Sequence, residues 1–301
     1  MRAENQTPLN AAALRRAALR PHGLWRDIEV VERTGSTNAD LLDRALRGEP
    51  EGLVIAAEEQ TAGRGRMGRT WVSPPRAALT FSLLVRPAAV PPARRGWLPL
   101  LTGVAVAAAV TDVTGVKASL KWPNDVLAGE AKLAGILAEA AADAAADAVV
   151  VGIGLNVSTA PSELPPRTGT ALSATSLRAA GATALDREPL LLAILAGFER
   201  RYDAWRQAHG DPDRSGLRQE YITWSATIGR PVRAELPGGH ALSGPAVGVD
   251  PDGRLLVRVS PGSEVAVAAA DVVHLRLAGP PGRGAKASAA ARQAAGTAGT
   301  R

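Results

Sequence analysis

Nine consecutive residues, Gly63-Arg64-Gly65-Arg66-Met67-Gly68-Arg69-Thr70-Trp71, hold three glycines, three arginines and a tryptophan. Glycine lets backbone N–H groups come close to a ligand. Arginine adds a permanent charge and a planar fork of donors that fits phosphate or carboxylate. Such a loop is suited to closing over a polyanion. It has the spacing of neither a Walker loop nor a dinucleotide fingerprint. Leu53–Ala57 just before it reads as a buried strand, with Glu58-Glu59-Gln60 as its polar end. The loop therefore leaves a strand end, where the ligand crevices of open sheets lie. An Arg-rich nucleic-acid-binding segment has a similar composition but usually recurs as repeats, and this stretch occurs once.

Other residues suited to anion chemistry follow. Only four of the 35 basic side chains are lysine, and two of those, Lys121 and Lys132, sit in Lys121-Trp122-Pro123-Asn124-Asp125 and Lys132-Leu133-Ala134-Gly135-Ile136-Leu137-Ala138-Glu139. A compact ammonium acts as a point charge where a guanidinium is too bulky. Strand alternation places Lys132, Ala134 and Ile136 on one face. Read alone, Lys132 is equally a solvated strand end, and Trp122 is read as core. Ser36-Thr37-Asn38 precede a short amphipathic helix, Ala39–Leu46, with Thr37 and Asp40 spaced as a capping box. Taken alone they are helix caps, although a helix N-terminus with spare hydroxyls also receives anions and polar rings. The four histidines, 22, 209, 240 and 274, are far apart, and cysteine is absent. This excludes disulfides, thiolate zinc sites and a cysteine nucleophile, and argues against a histidine metal site.

The elements that position these residues read as two units. A strand at Trp25–Val31 opens the first, and Leu79–Val85, Val116–Lys121, Lys132–Glu139 and Ala148–Val157 continue it. The last two are joined closely enough to form an antiparallel pair. Trp97–Val113 reads as a long buried helix, and Leu190 to Trp205 carries a core-facing helical stripe. Pro123 ends a ladder and Asn124-Asp125 suits a turn. From about Trp224 the pattern changes to short strands at 232–236, 246–249, 255–259, 265–268 and 272–277, split by Pro/Gly/Asp turns, as in a small barrel. The expected layout is a loosely packed, partly disordered extension over 1–24, a catalytic unit over 25–223, a barrel over 224–278 and a disordered tail over 279–301.

The net charge of +6 lies largely at the ends and says little about partners. No secretory pattern is seen at the start, and the apolar run at Leu100–Val110 is too short to span a bilayer. A soluble, cytoplasmic protein with no membrane partner is expected.

Four motifs in order closely resemble those of biotin–protein ligases. They are Glu59–Arg66 continued by Gly68–Trp71, Lys121–Asp125, Lys132–Glu139, and Gly152-Ile153-Gly154-Leu155-Asn156-Val157, with Ser36-Thr37-Asn38 ahead of them. The likeness covers residues 25 to 160 by motif and continues to about 277 by layout. It implies an α+β fold, with a mixed sheet flanked by helices (the class II synthetase-like ligase domain) and then an SH3-like barrel. It implies that biotin and ATP, with Mg²⁺, give biotinyl-5′-AMP, and that a lysine of a biotin carboxyl carrier domain then takes the biotin.

By the same resemblance, Ser36, Thr37, Asn38, Gln60, Gly63, Arg64, Gly65, Arg66, Lys132, Gly135 and Gly152 hold biotin. Arg66, Arg69, Trp71, Lys121, Asn124 and Asn156 meet the nucleotide. Arg66, Lys132 and Asp125 are the catalytic candidates, with Asp125 either orienting the incoming amine or helping to hold Mg²⁺. Some members carry an N-terminal helix-turn-helix, for which the residues before the first strand here are too few, so no sequence-specific DNA partner is expected. A homodimer is allowed. The alternatives are lipoate–protein ligation and a non-enzymatic Arg-rich nucleic-acid-binding module.

Overall fold

Seven strands form the central sheet: β1 (Asp27–Thr34), β2 (Leu53–Gln60), β3 (Ala78–Val85), β4 (Ala118–Lys121), β5 (Asp125–Ala128), β6 (Ala131–Ala140) and β7 (Val149–Asn156). Their order is β1-β2-β3-β7-β6-β5-β4. β1 and β2 pair in parallel and the other neighbours are antiparallel, so the sheet is mixed as expected. The computed structural model describes residues 7–141, 147–166, 172–236, 240–268 and 271–274. The tail from 279, and the end of the strand expected at 272–277, lie outside the described residues.

Alternation along the strands decides what covers each face. Leu79, Phe81, Leu83 and Val85 of β3, with Val149, Val151, Ile153 and Leu155 of β7, join the main core. That face is covered by α3 (Trp97–Thr114) and α4 (Arg187–Gln207), which pack on each other. With the turn before it, α3 is long and apolar enough to cross a membrane by length and composition, yet most of it is buried inside the fold. On the other face a smaller core holds Leu41 and Ala45 of α2 (Thr37–Leu46) against Leu53, Ile55, Leu84 and Val150. This short helix covers one end of the face. The rest, at Thr80, Gly135, Gly152 and Gly154, carries no helix among the described residues and opens into a cavity.

Two local expectations are corrected. Asn124-Asp125 is not the turn: Trp122–Asn124 make it, and Asp125 opens β5. Alternation also fails at Lys132. Val126 pairs with Ala134 but Leu127 with Lys132, so β6 holds a bulge at Leu133. One extra residue reverses the side-chain parity. Ala134 and Ile136 stay in the core, while Lys132 turns to the cavity face, its Nζ 3.2 Å from where a Cβ on Gly135 would stand.

The N-terminal segment is packed rather than loose where it is described. α1 (Ala11–Ala18) is capped by Asn10, and its Leu14 is fully buried. Ahead of it, Leu9 N–H donates to Glu58 Oε1 at 2.7 Å, and Arg187 Nη2 donates to the Thr7 carbonyl at 2.9 Å. Arg187 and Glu58 form an ion pair at 2.6 Å, with side chains 1% and 2% exposed. Glu58 lies two residues before Gln60, so this pair anchors the end of β2 that feeds the Gly-Arg loop.

The second unit begins after α5 (Leu217–Trp224). Five strands, β8 (Pro231–Glu235), β9 (Ala241–Val249), β10 (Leu255–Ser260), β11 (Ser263–Val267) and β12 (Asp271–His274), form a small antiparallel sheet in the order β11-β10-β9-β8-β12. Its Asp250–Gly253 turn does more than reverse the chain. Trp97 Nε1 donates to the Pro251 carbonyl at 3.0 Å, and Trp122 Nε1 to the Gly253 carbonyl at 3.0 Å. Trp122 is therefore core, and both indoles fasten the small sheet to the larger unit. Thr227 Oγ1 accepts from Trp122 N–H and lies 3.0 Å from His274 Nε2.

Two outcomes follow. Glu58→Ala leaves Arg187 buried without its partner, and urea unfolding should show a loss of about 3–5 kcal/mol. An unchanged midpoint would assign the pair no such role. Burial, helped by Lys121 and Arg230, pushes His274 down to about 4 from its ordinary 6.5. The folded state thus holds a neutral imidazole where the unfolded chain takes up a proton. Stability from this group is full above about pH 6.5 and is lost as pH falls towards 4. Thermal unfolding followed from pH 7 to 4 should fall more steeply for the wild type than for His274→Gln, and parallel curves would refute the assignment.

Candidate active site

The cavity, of about 280 Å³, lies on the open sheet face. Two rungs of residues cross its floor. Lys121, Asp125, Gly135, Gly154 and Thr80 stand opposite one another on successive strands. Two residues along, Leu137, Gly152 and Ser82 form the next rung. The glycines make room. A Cβ on Gly154 would stand 2.4 Å from Trp71 Cε2, and one on Gly152 would stand 2.1 Å from Asn38 Oδ1. Trp71 and Asn38 can lie flat on the sheet only because these positions have no side chain.

The Gly63–Trp71 stretch is a hairpin over this floor. Trp71 N–H donates to Gly63 O at 2.9 Å, Gly65 N–H to Arg69 O at 2.7 Å, and Arg64 bridges Thr70. Its tip, Met67-Gly68, has φ of 55° and 73°. The two arms touch closely enough that a Cβ on Gly63 would stand 2.5 Å from Trp71 O. Two of its arginines have partners in the fold. Arg64 Nη2 lies 3.5 Å from Glu139 Oε2, and Arg66 Nη1 donates to Asn124 Oδ1 at 3.2 Å. Asn124 is itself held, its Nδ2 donating to Ile136 O at 2.8 Å.

One end of the cavity is cationic. Lys132 Nζ sits 2.6 Å from Asp125 Oδ1, off the hydrogen-bond direction, and Lys121 Nζ is 3.9 Å from Asp125 Oδ2. Burial makes the Lys121 proton easier to lose; Asp125 opposes this, and Lys132, Arg69 and Arg66 add to it. Arg66 is lowered too, first by burial and then by Arg69, against Asp125. Lys121, Lys132 and Arg66 thus share Asp125, the only acidic side chain lining the cavity among the described residues, with Arg69 close by. Such a cluster favours a bound polyanion.

The other end is neutral and densely hydrogen-bonded. Ser36, Thr37 and Asn38 are buried, at 6%, 2% and 4% exposure. Their capping role is not what forms. Ser36 occupies the N-cap of α2 with no side-chain capping bond, and Asp40 accepts from Thr34 Oγ1 at 2.7 Å instead of closing a box with Thr37. Gln60 Oε1 accepts from Thr37 N at 2.8 Å and Thr37 Oγ1 at 3.0 Å. Thr37 Oγ1 lies 2.7 Å from Ser82 Oγ, which donates to Asn38 Oδ1 at 2.6 Å.

The structure gathers Ser36, Thr37, Asn38, Gln60, Arg64, Gly65, Arg66, Arg69, Trp71, Lys121, Asn124, Asp125, Lys132, Gly135, Gly152 and Asn156 around one cavity. Gly63 braces the hairpin behind it. Asn156 stands in the wall, its Nδ2 donating to Thr175 O at 2.9 Å. Trp71 Nε1 is buried without a partner and is a donor available to a ligand. Sequence reasoning assigned no role to Thr80, Ser82, Gly154 or Glu139. The signal for three of them was present: hydroxyls at alternate positions of an apolar strand, and Gly-x-Gly in another, each strip one sheet face of bulk. Val272 and Val273 of β12 also line the cavity, which nothing in their strand pattern announces.

Comparison with known proteins adds to this geometry. Residues 30–156 match the model of the biotin/lipoate A/B protein ligase family, and residues 227–275 that of the biotin protein ligase C-terminal domain. The biotin–[acetyl-CoA-carboxylase] ligase of Mycobacterium tuberculosis is 45% identical over 273 residues, spanning 89% of this chain and 97% of that one. Among solved structures, the biotin protein ligase of Aquifex aeolicus in complex with biotin and ATP superposes with a TM-score of 0.65 at 25% identity, covering 83% of this chain and all of that one. The Leishmania major biotin protein ligase in complex with biotinyl-5-AMP superposes with a TM-score of 0.55 at 25% identity, with the same coverage.

Proposed function

The chain belongs to the biotin protein ligase family, and from that premise we propose how its cavity carries out ATP-dependent biotinylation. The carboxylate of biotin attacks the α-phosphorus of ATP, pyrophosphate leaves, and biotinyl-5′-AMP forms. The ε-amine of a carrier-domain lysine then attacks the acyl carbon, the bond to AMP breaks, and the amine loses a proton as the amide forms. The observation that carries this reading is the polarity of the cavity, with a cluster of cations at one end and a neutral hydrogen-bonding pocket at the other. Biotin has the matching shape, an anionic carboxylate at one end and a neutral ureido ring at the other.

In this reading Ser36, Thr37, Asn38 and Gln60 take the ureido ring, whose carbonyl needs donors and whose N–H groups need acceptors. Gly152 and Gly135 leave floor space, and the Gly63–Arg66 backbone closes over the ring. Lys132 and Arg66 bring carboxylate and α-phosphate together against their repulsion, so their work is positioning and charge stabilisation. Arg69, Lys121, Asn124 and Asn156 line the nucleotide end, with Trp71 offering its unpartnered indole N–H. Asp125 keeps the cations in place before substrates arrive and orients the incoming lysine amine.

Among the described residues no three acidic or histidine side chains converge on one point. A Mg²⁺ ion bound with the triphosphate would have Asp125 as the cavity carboxylate within reach among the described residues, and would supply neutralisation of the phosphates. Arg66 is half-buried at the cavity with Asn124 as its partner and Arg64 pairs with Glu139, which supports an enzyme over an Arg-rich nucleic-acid binder. We accordingly assign it a carrier protein as partner, no sequence-specific DNA and no membrane, a cytoplasmic setting, and a homodimer as an allowed assembly. We keep the catalytic unit at 25–223 and the barrel at 224–278.

Purified protein should release pyrophosphate from ATP with biotin and label a carrier-domain lysine. Equal turnover with lipoate would sink the biotin reading. Lys132→Ala should slow single-turnover adenylation by about 10²–10³-fold, the scale of losing one donor to developing charge, with a smaller change in biotin affinity. A rate within about threefold of wild type would remove Lys132 from the chemistry.

A further inference from the structure

Glu139 stands at the end of β6, outside the cavity lining, with its side chain 26% exposed. Its Oε2 accepts from Asn38 Nδ2 at 2.7 Å and lies 3.5 Å from Arg64 Nη2. We propose that Glu139 is a positioning residue that sets the direction of the Asn38–Ser82–Thr37 hydrogen bonds in the neutral pocket and ties the pocket to the Gly63–Trp71 hairpin. The inference rests on the reading of that pocket as the ureido site.

The argument runs through donor and acceptor capacity. A carboxylate only accepts. Asn38 turns its NH₂ to Glu139, at 2.7 Å, and to the Leu137 carbonyl, a longer contact at 3.2 Å that also only accepts, and its Oδ1 to the other side. Oδ1 there accepts the single proton of Ser82. Ser82 then has only lone pairs to offer Thr37, 2.7 Å away, and Gln60 Oε1 likewise only accepts. The one hydroxyl proton of Thr37 is thus drawn into the network, which leaves an acceptor lone pair free for a ligand N–H. Gln60 Oε1 is fixed on the Thr37 N–H, so its amide nitrogen remains a donor beside Gly63. The result is one acceptor and one donor aimed as a cyclic urea requires. Gly152 makes room for this arrangement, since a Cβ there would stand 2.1 Å from Asn38 Oδ1.

A glutamine at 139 can donate as well as accept. It allows Asn38 to flip and Ser82 to donate to Thr37, so the pocket no longer holds one fixed pattern of donors and acceptors. The charge holding Arg64 also goes. Glu139→Gln in the full-length chain should therefore raise KM and Kd for biotin by about 10- to 100-fold, the effect of losing one or two hydrogen bonds in a desolvated site. KM for ATP and the adenylation kcat should stay within about threefold, because the cation cluster is untouched. Ser82→Ala breaks the same relay from its middle and should show a comparable loss. In the double variant the two losses should overlap rather than multiply, a coupling that a merely structural role would not produce.

Wild-type biotin affinity in either single variant, or fully multiplicative losses, would overturn the inference while leaving the functional reading intact. If wild-type protein forms no biotinyl-adenylate, the reading falls and the inference with it.

Discussion

Lys121, Lys132 and Arg66 meet the Asp125 carboxylate in a partly buried space with Arg69 at its edge, and most of the catalytic unit serves that concentration of positive charge. Lys121, Lys132, Arg66 and Arg69 would repel one another strongly at low effective dielectric. Asp125 relieves part of this by taking Lys132 and Lys121, and Asn124 holds Arg66. What remains is a site whose electrostatic energy falls when a polyanion enters. Pre-arranged charge of this kind stabilises charge developing at phosphorus without reorganisation at the moment of reaction. The tight turn at Trp122–Asn124 and the bulge at Leu133 are the two backbone features that bring Lys121, Asp125 and Lys132 onto one face.

The neutral end depends on what the sheet lacks. A mixed sheet with helices on both faces would bury its whole surface. Here α2 is ten residues long and covers only the end bearing Ile55, Leu84 and Val150. Beyond it the strands carry Gly135, Gly152 and Gly154, so a ligand, Asn38 and Trp71 can approach the backbone. Polar atoms left in such a space must find partners, because an unpaired buried group costs about 1–3 kcal/mol. The chain Glu139–Asn38–Ser82–Thr37–Gln60 meets that demand and fixes which groups remain for a ligand.

Parts remote from the chemistry keep this geometry in place. The Arg187–Glu58 pair and the Thr7–Leu9 backbone hold the end of β2 from below. The indoles of Trp97 and Trp122 grip the Asp250–Gly253 turn, so the barrel is seated firmly enough for Val272 and Val273 to form cavity wall. Gly96 and Gly253 allow that contact, with a Cβ on Gly96 standing 2.3 Å from Asp252 O.

Much of this was legible in the residue order. Apolar alternation and turn chemistry gave the strands, the core helices α3 and α4 and the change to a small β unit near Trp224, because burial period is a local property. The Gly-Arg stretch announced anion binding from residue type alone, and the four motifs in order named the family. Tertiary structure decided the rest. Lys132 faces the cavity because a bulge reverses strand parity, and a bulge depends on the partner strand's register. Thr37 and Asn38 form a relay rather than a cap because Ser82 and Glu139, 44 and 101 residues away from Asn38, meet them across the sheet. The N-terminal segment packs because Glu58 and Arg187 wait for its backbone. Residue types and local periods fix which chemistry is available. Which atoms share a hydrogen bond is a matter of through-space distance, and only the folded chain sets that.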